Sequence, residues 1–115
     1  MTRVPFKFDL NDGFVSLSGV VSLDGDDVVI ETRRAALDLV PIGRDTFRIP
    51  AREIESIELE TGLVKSHLVI CPFSVEYLEG FPGDPDDEIR LPIPRKHRDA
   101  AEALAREARL RNLPR

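Results

Sequence analysis

The chain has 115 residues, 42% hydrophobic and 32% charged, with a formal net charge of −5; this fits one folded domain with one core and excludes a disordered polar chain. The lone Cys71 excludes an internal disulfide and any multi-thiolate metal site. No apolar run approaches the roughly 18 residues a membrane span needs, and the charged start Met1–Asp9 does not have the form of a secretory leader, so a cytoplasmic location is expected.

The charge is unevenly spread. Residues 95–115 hold seven Lys/Arg against three Asp/Glu, whereas residues 1–94 hold nine against eighteen. An acidic body argues against nucleic-acid binding, which needs a basic surface to neutralise phosphates.

Most of the chain alternates with the period of two that marks half-buried strands. Val4, Phe6, Phe8 and Leu10 share one face of a first strand. After Asn11-Asp12-Gly13, a second strand turns Val15, Leu17, Gly19, Val21 and Leu23 inward. Asp24-Gly25 suits a tight hairpin into a strand over about residues 27–34. Pro41 and Gly43 interrupt the alternation over 35–46, where a ragged edge or loop is expected, followed by a short strand at Thr46–Ile49. Pro50 suits the start of a one-turn connection. Ile57 and Leu59 then point in, Thr61-Gly62 turns the chain, and the segments 63–71 and 73–78 follow. The Pro-, Gly- and acid-rich run 79–88 reads as a solvated loop, and Ile89, Leu91 and Ile93 as the last strand.

From about Arg95 to Asn112 the period becomes helical, with His97, Ala101, Leu104, Ala105 and Ala108 on one stripe. Leu110 falls on the opposite side and Leu113 beyond the helix end, so both are expected to be apolar groups that the domain's own core does not use.

The Val15–Leu23/Asp27–Arg34 hairpin, the Ile49-Pro50-x-x-x-Ile54-x-x-Ile57 connector and the helix after Ile93 together resemble a bacterial pleckstrin-homology-like (PH-like or GRAM-like) domain. The resemblance implies a mainly β fold: a strongly bent antiparallel sheet or partial barrel of about seven strands capped by one C-terminal helix. The whole chain, 1–115, is then one domain, with 1–13 as an extra N-terminal strand and turn, 14–93 as the sheet core and 95–112 as the helix. It also implies a non-catalytic adaptor for headgroups, peptides or proteins. One departure stands out: the first hairpin turn, Leu23-Asp24-Gly25-Asp26-Asp27, has three acids and no base, which opposes a phosphoinositide there.

No catalytic signature is present. Neither phosphate-binding glycine motif nor a G-x-S-x-G occurs, and His67 and His97 lack a third metal ligand nearby. Cys71, in Leu-Val-Ile-Cys-Pro-Phe, reads as a small buried hydrophobe. The acidic segment 84–88 lacks the ligand spacing of a calcium loop. Neither a cofactor nor a metal is expected.

Two basic groups remain. Arg33, Arg34, Arg44, Arg48 and Arg52 fall within twenty residues; ion pairing with Glu53, Glu55, Glu58 and Glu60 is the favoured expectation, and an anion patch the alternative. Arg95, Lys96 and Arg98 stand at the helix N-terminus, where the macrodipole disfavours cations, so acid from the body or an external anion should be near them. The leading expectation is an interaction module that binds a protein partner or itself through Leu110, Leu113, Leu37 and Leu39, with a free sheet edge near 35–46 able to add a strand. The alternative is an anionic-ligand or membrane-surface adaptor built on the arginine clusters, the membrane being the less favoured partner.

Overall fold

The computed structural model describes residues 3–10, 15–36, 40–63, 65–81 and 85–112. Leu37, Leu39 and Leu113 therefore lie outside the described residues.

Among the described residues, the alternation resolves into seven strands in two antiparallel sheets with one C-terminal helix. Strands β1 (Arg3–Leu10), β2 (Val15–Asp24), β3 (Asp27–Ala36) and β4 (Val40–Pro50) form the first sheet in chain order. Strands β5 (Ile54–Thr61), β6 (Ser66–Pro72) and β7 (Ile89–Ile93) form the second. The two sheets do not close into a barrel. A 3-10 turn at Ala51–Glu53 links them, and helix α1 spans Arg98–Asn112 after a 3-10 turn at Arg95–His97.

One continuous core joins both sheets and the helix. Val4, Phe6, Leu17, Val21 and Ile30 of the first sheet meet Ile57, Leu68, Ile70 and Leu91 of the second, with Ala101, Leu104, Ala105 and Ala108 closing one side. Each fully buried Leu, Ile or Phe contributes about 1.5–3 kcal/mol, so the small alanine stripe serves mainly to let α1 approach closely, and Leu104 carries most of its apolar burial. The C-terminal end of the helix is fastened by polar contacts: Asn112 Nδ2 donates to the carbonyls of Ala51 (2.6 Å) and Ile54 (2.8 Å), and Arg109 donates to that of Ile57 (2.8 Å).

The expected first strand is present as Arg3–Leu10; it pairs with β2 along its whole length and buries Val4 and Phe6 in the core. Several other expectations need correction. Residues 40–46 extend the strand expected at 46–49; Pro41 and Gly43 are tolerated because β4 is an edge, and a register shift at Arg34/Ala35 absorbs the irregularity. Within 73–78 the chain makes a 3-10 turn at Val75–Leu78, whose capping residue Ser74 accepts a hydrogen bond from the amide of Glu76. Cys71 is not a core residue: β6 alternates so that Ile70 and Pro72 point inward and Cys71 points outward beside Glu55 and Asp87.

Among the described residues no helix is long and apolar enough to cross a membrane, and no group of three or more His, Cys, Asp or Glu is placed to hold a metal ion.

Candidate functional site

The register of the first sheet places its outward-facing residues in rows. Arg3, Ser22, Val29 and Arg48 form one row across β1 to β4; Pro5, Val20, Glu31 and Thr46 form the next; Lys7, Ser18, Arg33 and Arg44 form the third. The third row thus has cations at three of its four positions and a hydroxyl at the other.

The charges in these rows are not equally satisfied. Arg3 reaches Glu31 at 3.6 Å, and Arg48 bonds Asp24 and lies 3.7 Å from Asp27. Arg34 belongs to the opposite face of β3 and meets Asp45 at 3.5 Å. Arg33 and Arg44 are different: both are exposed, they stand opposite each other across the β3–β4 ladder, and no carboxylate among the described residues lies within 4.0 Å of either. Like charges placed directly opposite are unfavourable in a sheet.

Around this pair the outer face dips into a recess of about 430 Å³, walled by Pro5, Ser18, Val20, Glu31, Arg33, Arg44 and Thr46, with Phe6, Thr32 and Asp45 also lining it. Gly19 shapes its floor. A Cβ built there would stand 2.0 Å from the carbonyl oxygen of Glu31 and 2.8 Å from the ring of Phe6, so only glycine permits this approach of β2 to β3. The recess therefore combines two guanidinium forks, the hydroxyls of Ser18, Thr32 and Thr46 and a small apolar wall with two carboxylates, Glu31 and Asp45, which are engaged by Arg3 and Arg34. The two remaining guanidinium groups, those of Arg33 and Arg44, are the donors that an anion-bearing ligand uses.

The expected pairing of these arginines with Glu53, Glu55, Glu58 and Glu60 does not occur among the described residues, because those acids sit on β5 and its preceding turn in the other sheet. Glu60 and Glu88 instead grip Arg90 from β5 and the segment before β7, and their hydrogen bonds hold its guanidinium pKa above the ordinary value. No carboxylate among the described residues comes within 4.0 Å of Arg95, Lys96 or Arg98; Asp99 in the first turn of α1 offers the acid the macrodipole favours. Leu110 is 59% exposed on α1, away from the arginine recess. The sequence reading passed over Ser18, Gly19 and Thr46, which gain meaning only through register.

Among the described residues, the surroundings of Cys71 disfavour its thiolate. Burial, then the charges of Glu55, Asp87 and Glu88, push its thiol up, outweighing a hydrogen bond with Ser56 that lowers it. Its Sγ lies 3.5 Å from the carbonyl of Asp87 and 3.9 Å from Glu55 Oε2.

No family model matches the chain, and no curated protein or solved structure matches it either.

Proposed function

We propose that this chain is a non-catalytic binding module whose ligand carries an anionic group into the recess between Arg33 and Arg44. The cross-strand arginine pair, which meets no carboxylate among the described residues, carries this reading: it costs stability, and a bound anion turns that cost into two charge-assisted contacts. The order of seven strands and a capping helix supports the PH-like resemblance and with it an adaptor role. The upward-shifted thiol of Cys71 supports binding over nucleophilic chemistry.

The test is titration of the protein with inorganic phosphate and with acetate at low ionic strength, following the Nε–H signals of Arg33 and Arg44 by NMR. Saturable shifts that vanish in the Arg33→Gln/Arg44→Gln protein are expected. Their absence with both anions would sink the reading. Sedimentation with anionic vesicles asks whether a membrane surface supplies the anion; any such binding must be strongest at low salt.

A second reading rests on Leu110, which offers an exposed apolar contact on α1 for a protein partner or another copy. Light scattering on the wild-type and Leu110→Glu proteins checks it. A wild type that stays monomeric at high concentration removes self-association.

A further inference from the structure

The recess opens beside a strand edge. β4 has β3 on one side and no strand on the other among the described residues. Arg44, Asp45 and Thr46 are exposed. Toward the end of the strand, β4 runs beside the Val75–Leu78 turn, and the ring of Phe47 packs on Phe81 at 5.0 Å. Toward its start, Pro41 has no N–H to donate. The stretch 43–46 is therefore a short open window with backbone groups available to an added strand.

The charges around that window select what can be added. Pairing this edge with the same edge of a second copy would bring two sets of outward Arg44 and Arg48 side chains onto one face, and such repulsion disfavours the self-pair. A segment with an acidic residue on that face does the opposite. It extends the row Lys7, Ser18, Arg33, Arg44 by one position, about 4.8 Å beyond Arg44, the ordinary spacing between strands. The residues flanking that acid point to the opposite face, where Asp45 stands beside Arg34, so an acid is disfavoured at the flank nearest Asp45.

We infer that the open edge of β4 takes an extended peptide segment of a protein partner, whose acidic side chain folds over Arg44 toward Arg33 while its backbone pairs with residues 43–46. This rests on the anion-binding reading of the recess and names the partner that delivers the anion.

An array of seven-residue capped peptides of alternating β-branched sequence tests it, with Glu, phosphoserine, Gln or Lys at the centre and each Glu peptide repeated with alternate amides N-methylated along one edge, then along the other. Glu- and phosphoserine-centred peptides are expected to bind and to protect the amides of residues 43–46 from hydrogen exchange; Gln- and Lys-centred ones are not. N-methylation along the pairing edge is expected to weaken binding about tenfold or more, as the loss of two ordinary hydrogen bonds implies, while methylation along the other edge leaves it unchanged. Arg33→Gln/Arg44→Gln abolishes binding, and Arg44→Glu transfers it to the Lys-centred set. If inorganic phosphate binds but no peptide does, or if methylation along neither edge weakens binding, strand addition is wrong and the anion site stands. If neither phosphate, acetate nor any peptide binds, both readings fall.

Discussion

Arg33 and Arg44 face each other across the β3–β4 ladder with no carboxylate among the described residues within 4.0 Å of either, while the arginines of neighbouring positions, Arg34 and Arg48, are both paired. A sheet that only had to fold would gain by removing one of the two. Arg44→Gln is therefore expected to stabilise the protein by about 0.2–1 kcal/mol in urea denaturation at low salt. The gain should fade near 1 M salt, where the screening length is about 3 Å. A destabilised Arg44→Gln would mean that the guanidinium contributes packing along the edge, and the recess would lose its main argument.

Gly19 tests the shape of the same recess from below. Gly19→Ala places a methyl group 2.0 Å from the backbone oxygen of Glu31, and a backbone neighbour cannot rotate away as a side-chain tip can. Overpacking of this kind costs about 1–3 kcal/mol, and the upper end is expected here because the ladder between β2 and β3 must shift. Urea denaturation gives the loss of stability. Because Glu31 and Arg33 share a strand, the anion-induced shifts at Arg33 should also weaken.

How much of this was legible depended on which turns could be read. The Asp24-Gly25 hairpin fixes the β2–β3 register: Gly25 takes φ 61°, Asp24 stands opposite Asp27, and Ser18 must then face Arg33. The seven-strand, helix-capped architecture and the Ala101, Leu104, Ala105, Ala108 stripe were likewise legible, since each follows from a period. Arg33 opposite Arg44 was not. That pairing runs through a register shift at Arg34/Ala35, and an irregularity of one residue changes which side chains meet. Cys71 shows a related limit: its apolar neighbours suggest burial, but strand parity sets its direction, and Ile70 and Pro72 take the inward positions on either side of it.

The fastening of α1 gives a prediction outside the site. Both amide hydrogens of Asn112 have carbonyl acceptors, on Ala51 and Ile54, in the connector between the two sheets. Asn112→Ala leaves those part-buried carbonyls short of a donor and is expected to cost about 1–3 kcal/mol. Asn112→Asp should cost more, because a carboxylate there presents acceptors to acceptors. Thermal denaturation ranks the three proteins. Equal stability of the Ala and Asp variants would show that the side chain merely fills space.

Cys71 supplies a pH dependence whose sign follows from its surroundings. Partial burial and the charges of Glu55, Asp87 and Glu88 favour the neutral thiol, so its pKa lies above the ordinary thiol value and less thiolate exists at any given pH. Alkylation by iodoacetamide, which consumes the thiolate, should be slower at pH 8 than for a free cysteine and should rise only at more alkaline pH. Glu55→Gln removes the most strongly acting of those charges and is expected to shift the rate profile to lower pH without exposing the sulfur further. The folded state holds the proton more tightly than the unfolded chain, so this group's contribution to stability is complete below the unfolded thiol pKa and is lost as pH rises through the folded one. If instead Cys71 alkylates as fast as a free thiol at pH 8, the carboxylates do not govern it, and its place in a merely acidic outer face of the second sheet would have to give way to a reactive one.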